Sequence, residues 1–237
     1  MTVPAPQPLR AILFDKDGTL FDFQRTWGAA LSDLMMALAR EGGGDPEQVA
    51  RVTGVDPVAR RVLRDSPLVA GTQAETMALL RPLLSLPDHV LLARMAAMAE
   101  QVEPVPAVAL APLFDRLRGA GYLLGIATND QEDATRQQLA RLGVADRFER
   151  IIGADSGHGA KPAPGMCHAF AAGLDLPCAE VVMVGDSTHD LRAGRAAGMP
   201  VVAVLTGLAE ADDLAAEACA VLDDIGALPA WLGLPPV

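Results

Sequence analysis

The sequence predicts an α/β fold, a doubly wound parallel sheet carrying an inserted all-helical domain. Three observations lead there. Short apolar runs recur along the chain, each stopped by Asp, Asn or Gly; stretches with helical spacing fill most of the gaps; and no hairpin turn joins neighbouring runs, so crossovers must connect them and the strands lie parallel. Of the 237 residues, 51% are apolar, enough to bury a core in one large domain or in one domain plus a smaller one.

The first run, 11–14, is Ala-Ile-Leu-Phe and reads as a strand buried on both faces. From 23 to 104 the alternation stops. Helical patterns appear at 27–40, 57–64, 72–84 and 87–101, separated by Gly42-Gly43-Gly44 and Asp65-Ser66-Pro67 and closed by Pro104-Val105-Pro106, as turns or hinges would separate them. This interval reads as a helical domain, 23–104, inserted into a core made of 1–22 and 105–237. Ligands in such sheets sit outside the carboxyl ends of the strands, so an insertion leaving that edge is expected to cover the site and to move as it does so. Alternation then resumes. Strands are expected at 122–128, 150–154, 181–184 and 201–204, and helices at 113–120, 132–142, 166–172, 190–197 and 211–218, most of them ending in Gly. Trp231 and the closing Leu-Pro-Pro-Val read as a packed tail.

Composition excludes several classes of partner. Nineteen basic against thirty acidic side chains leave a net charge of −11, the opposite of what counterion displacement from nucleic acid requires. The longest apolar stretches fall far short of the roughly 20 residues that span a bilayer. The first ten residues hold Pro4, Pro6 and Pro8 and no apolar run, so no signal peptide is expected. Cys167, Cys178 and Cys219 are odd in number and contain no C-x-x-C pair, which suits reduced thiols in a cytoplasmic protein.

Four strand ends carry the chemistry. The first gives Asp15-Lys16-Asp17-Gly18-Thr19-Leu20: two acids two residues apart, then a Gly that lets the chain turn sharply and offer its amides. Alone, it is also an ordinary polar turn. The second gives Thr128-Asn129-Asp130, suited to an oxyanion at a helix start or to simple helix capping. Lys161 sits between Gly159-Ala160 and Pro162-Ala163-Pro164, whose restricted backbone can aim one cation; an isolated lysine is more often a solvated one. The fourth gives Gly185-Asp186-Ser187-Thr188-His189-Asp190, with two acids placed to face one cation unless Asp186 merely caps the helix. Oxygen ligands without nearby Cys or paired His favour Mg²⁺ over zinc.

In this order the four motifs resemble those of the haloacid dehalogenase superfamily, specifically its phosphatases, over 11–19 and 107–206. Phosphoglycolate phosphatases and related sugar-phosphate or pyrophosphate hydrolases are the nearest in pattern. The resemblance implies a Rossmann-like core with a helical cap between the first and second motifs; the interval from Asn129 to Lys161 is too short for the larger cap type. It also implies roles. Asp15 is the nucleophile that becomes an aspartyl-phosphate, and Asp17 is the general acid and base. Mg²⁺ is held by Asp15, the Asp17 carbonyl and Asp186, with Asp190 a ligand or the residue ordering a metal-bound water. Gly18, Thr19, Thr128, Asn129 and Lys161 bind the phosphoryl group. The implied partner is a small phosphorylated metabolite, and the chain a monomer or homodimer.

Branches of the superfamily separate on single residues. Dehalogenases lack the second acid and the metal site, so Asp17 with Asp186 argues for phosphoryl chemistry. Phosphonatases use a cap lysine, yet Lys16 and Lys161 are the only lysines in the chain. Two positions depart from the pattern. Lys16 stands where an apolar residue is common, and is expected to contribute its amide rather than its side chain; Phe23 stands where Ser or Thr is frequent. Two alternatives share many of these residues: a phosphoryl transferase of the β-phosphoglucomutase type, and a receiver-like phospho-acceptor domain, which would need neither Asp17 nor the insertion.

Overall fold

Ala11, Ile12, Leu13 and Phe14 are all completely buried, as a strand covered on both faces requires. They form β1 (Ala11–Phe14), from whose end the chain departs into a second unit. The computed structural model describes residues 8–235; the proline-rich leader through Gln7, and Pro236 and Val237 of the tail, lie outside the described residues.

The chain divides into two units, Met1–Asp22 with Pro106–Val237, and Phe23–Val105. The second contains a π-helical turn, Gln24–Gly28, followed by α1 (Ala29–Glu41), α2 (Pro46–Thr53), β2 (Val55–Asp56), β3 (Arg61–Val62), α3 (Gln73–Leu80) and α4 (Asp88–Gln101). Local sequence starts these helices. The Asp45 carboxylate accepts from the Glu47 amide just ahead of Pro46, and Thr72 and Glu75 cap α3 reciprocally. The helix expected over 57–64 does not form. That segment instead closes an antiparallel hairpin in which Val55 faces Val62 and Asp56 faces Arg61. The cause is local: Gly54 ends α2 at φ 65, the Asp56 carboxylate accepts from the amides of Val58 and Ala59, and Arg60 takes φ 51, which a helix cannot use. The unit is thus helical around a small hairpin rather than wholly helical.

On its return the chain alternates through α5 (Leu110–Gly119), β4 (Leu123–Ala127), α6 (Glu132–Arg141), β5 (Arg150–Ile152), α7 (Gly165–Gly173), β6 (Val181–Gly185), α8 (Thr188–Ala196), β7 (Val201–Val204), α9 (Ala211–Leu214), β8 (Ala220–Leu222) and α10 (Leu228–Trp231). Six strands form one parallel sheet in the order β5-β4-β1-β6-β7-β8. The period of two in β1 assigns its side chains to opposite faces. Ile12 and Phe14 pack with Leu113, Phe114, Leu139 and Trp231; Ala11 and Leu13 pack with Met166, Phe170, Leu191 and Leu214. Trp231 therefore belongs to the core. Strand β8 has no counterpart in the sequence reading, being three residues long with its last two only half-buried. No helix among the described residues is long and apolar enough to cross a membrane.

Winding reverses at β1, which pairs with β4 on one side and β6 on the other. The carboxyl ends of β1 and β6 therefore flank the crevice in which such sheets bind ligands.

Candidate active site

The Asp15 amide donates to the Val184 carbonyl at 2.8 Å, so Asp15 still follows the β1–β6 register. Immediately afterwards the chain folds back: the Leu20 amide donates to the Lys16 carbonyl and the Gly18 amide to the Phe21 carbonyl, each at 2.8 Å. Gly18 has φ +86, and a Cβ there would lie 2.3 Å from Asp186 Oδ2. Only glycine permits both the turn and the approach. Thr206 donates its hydroxyl to the Gly18 carbonyl at 2.6 Å, and Thr19 donates its hydroxyl to Asp186 Oδ1 at 3.2 Å.

Asp15, Asp186 and Asp190 come together. All three are buried, and each offers a carboxylate oxygen within 4.8 Å of the others. Asp186 is not the cap of α8. Ser187 takes that place, its hydroxyl donating to Asp190 Oδ2 at 2.6 Å, which leaves the Asp186 carboxylate to the cluster. Lys161 completes the group. Its ammonium donates to Asp15 Oδ1 at 2.5 Å, Asp190 Oδ1 at 2.6 Å and the Ala127 carbonyl at 2.7 Å, using all three protons. Asn129 holds the lysine from behind: the Lys161 amide donates to Asn129 Oδ1 at 2.8 Å, and Asn129 Nδ2 donates to the Lys161 carbonyl at 3.0 Å. Thr128 is buried at the end of β4, and its hydroxyl accepts from the Asp130 amide at 3.1 Å.

Burial drives the Asp15 carboxyl up to about 7, against the pull of the Lys161 ammonium. Burial, and then the charges of Asp15 and Asp190, push Asp186 well above the usual carboxylate range. Burial also opposes the Lys161 charge, yet Asp15 and Asp190 hold that ammonium above its ordinary pKa. With all three carboxylates ionised, the one ammonium would leave the buried site two positive charges short, a deficit that the raised Asp15 and Asp186 carboxyls reflect. An all-oxygen set short of two positive charges fits a hard divalent cation.

Asp17 is not in that cluster; its side chain turns to Lys16. The Lys16 side chain is fully buried, with Nζ 2.7 Å from Asp17 Oδ2, 3.0 Å from Asp130 Oδ2 and 2.7 Å from Gln138 Oε1. Sequence reasoning assigned position 16 a backbone role only. The rarity of lysine, which argues against a cap lysine, also bears on the Lys16 side chain: both lysines of the chain lie at this site.

Residues 9–198 match the model of a hydrolase family described as haloacid dehalogenase-like hydrolase. A phosphoglycolate phosphatase from Yersinia pseudotuberculosis is 31% identical over 235 residues, covering 96% of this chain and 94% of that one. Another, from Rhodospirillum rubrum, is 36% identical over 123 residues, so that the match spans about half of each chain, 52% and 51%. The fold is shared with a haloacid dehalogenase family hydrolase from Deinococcus radiodurans R1, solved with bound phosphate and sodium: TM-score 0.68 and 22% identity, covering 98% of this chain and all of that one. With a family match over most of its length and a relative aligned nearly end to end, this chain belongs to the haloacid dehalogenase-like hydrolase family, as a phosphatase of the phosphoglycolate phosphatase-like kind.

Proposed function

We propose that the protein is a Mg²⁺-dependent phosphatase that hydrolyses a small organic phosphate monoester, of the phosphoglycolate or sugar-phosphate kind, through an aspartyl-phosphate on Asp15. The observation that carries this reading is the clustering of the Asp15, Asp186 and Asp190 carboxylates, with Asp15 and Asp190 both bonded to the Lys161 ammonium.

Phosphate monoesters hydrolyse slowly because their oxygens repel an anionic nucleophile and an alkoxide leaves poorly. In the proposed reaction an Asp15 oxygen attacks phosphorus in line, forming the acyl phosphate as the bond to the ester oxygen breaks. Asp17 gives its proton to that departing oxygen, so an alcohol leaves. Asp17 then takes a proton from the water that attacks phosphorus, which releases inorganic phosphate and restores both carboxyl groups. Lys161, anchored by Asn129, holds Asp15 in place and neutralises charge on the phosphoryl group. The Thr128 hydroxyl and the amides of Gly18, Thr19 and Asn129 are the proposed partners of the remaining phosphoryl oxygens. The carboxylates of Asp15 and Asp186 and the Asp17 carbonyl would hold Mg²⁺, with Asp190 beside it; when bound, the ion supplies positive charge to the phosphoryl oxygens and offsets the excess of carboxylates.

The test is phosphate release from a panel of phosphoglycolate, pyrophosphate, sugar phosphates and nucleotides, each with Mg²⁺ and with chelator. Release from one small monoester in preference to the rest, abolished by chelator, is the expected result. No release from any member by the folded protein with Mg²⁺ present would contradict the reading.

A further inference from the structure

We propose that Lys16 is a positioning residue for Asp17: by gripping the Asp17 carboxylate from within the core, its ammonium holds the general acid and base at the angle needed to reach the leaving oxygen. This rests on the role of Asp17 proposed above.

The ammonium has three protons and three acceptors, each on a different part of the core: Asp17 Oδ2 in the turn after β1 at 2.7 Å, Asp130 Oδ2 in the loop after β4 at 3.0 Å, and Gln138 Oε1 on α6 at 2.7 Å. Gln138 is itself buried, at 2% exposure. No described buried side-chain polar atom is left without a partner. Net stability is a weak reason for this arrangement. Removing an ammonium from water is costly, and a buried ion pair is commonly no more stabilising than apolar side chains of similar volume. Phe14 on β1 and Leu139 beside Gln138 on α6 both belong to the apolar core. What the pair adds is direction. One Asp17 oxygen is fixed by a cation that is tied at two further points, and the orientation of a catalytic group is set by such supporting contacts. The two lysines then divide the two acids between them, Lys161 on Asp15 and Lys16 on Asp17.

A cation that merely ties three segments together would, when removed, affect every substrate alike. Positioning of a general acid predicts a selective loss. An alkoxide leaves only with a proton, whereas p-nitrophenolate leaves without one, so kcat/KM for an alkyl phosphate and for p-nitrophenyl phosphate separates the two cases. Asp17→Asn is expected to lower the alkyl value by about 10²-fold or more, and the aryl value far less. Lys16→Met is expected to repeat that pattern, with a loss of at least ~10-fold on the alkyl phosphate and under ~3-fold on the aryl one. On the Asp17→Asn background it should add nothing, because the two residues act through one group. Equal losses on both esters, no loss on either, or a further loss on the Asp17→Asn background would overturn the proposal. Should Lys16→Met not fold, Gln138→Met loosens the same ammonium from the helix side and is judged by the same selectivity. Failure of the wild-type protein to hydrolyse either ester, or an Asp17→Asn variant without leaving-group selectivity, would strike the proposed function itself and this inference with it.

Discussion

Ser187 decides what Asp186 can do. Because the serine hydroxyl and amide engage Asp190 at the start of α8, Asp186 is not spent on capping and its carboxylate stays with Asp15. Asp15, Asp186, Asp190 and Lys161 were legible because strand ends and restricted loops announce themselves locally. The work of two side chains was not. Lys16 finds Asp130 and Gln138 114 and 122 positions away, and Asn129 reaches across 32 positions to hold the Lys161 backbone, pairings that only the folded sheet creates. The residue-scale expectation for catalysis is that Asp15→Asn abolishes phosphate release while circular dichroism remains that of the wild type; retained turnover would remove Asp15 from its role. The thiols give an independent check of burial. Cys167 is fully buried and its thiol is pushed up to about 12, chiefly by burial, whereas Cys178 and Cys219 are half-buried. Thiolate is the reactive form, so titration with a disulfide reagent at pH 8 should modify Cys178 and Cys219 in the native protein and Cys167 only after denaturation.

At the scale of the element, glycines mark where backbone and side chains approach most closely. In β4, a Cβ on Gly125 would lie 2.0 Å from the Phe170 ring, so Gly125→Ala must displace α7 or the strand. Overpacking of this kind costs about 1–3 kcal/mol, and urea denaturation should show that loss at an unchanged m-value. Gly18→Ala carries a double penalty, the positive φ and the 2.3 Å approach to Asp186; phosphate release should fall even under conditions where the variant remains folded, since the same Cβ pushes the carboxylate out of its cluster. The strands of the sheet were readable because both-face burial writes apolar runs into the sequence. The β2–β3 hairpin was not, because Arg60 and Arg61 follow Pro57-Val58-Ala59 in a pattern that also suits a helix, and only the Asp56 turn bonds tip the balance. Strand β8 is too short to show a period at all.

For the molecule as a whole, the surplus of buried carboxylates sets a stability prediction that does not depend on turnover. A ligand that binds only the folded state stabilises it by about 2.7 kcal/mol at a concentration 100 times its Kd. Mg²⁺ should therefore raise the Tm, chelator should reverse the rise, and Asp186→Asn should abolish it; an unchanged Tm in saturating Mg²⁺ would contradict the cluster as a metal site. The parallel, doubly wound architecture was legible at this scale because β/α alternation admits few topologies; the strand order β5-β4-β1-β6-β7-β8 is a property of the folded sheet. An aspartyl-phosphate on Asp15 can be trapped chemically. Protein quenched during turnover of phosphoglycolate with Mg²⁺ is treated with borohydride, which reduces an acyl phosphate to the alcohol, and is then digested for mass spectrometry. Homoserine is expected at position 15 and at no other aspartate. Continued phosphate release with position 15 unmodified, or modification at another aspartate, would contradict that role of Asp15.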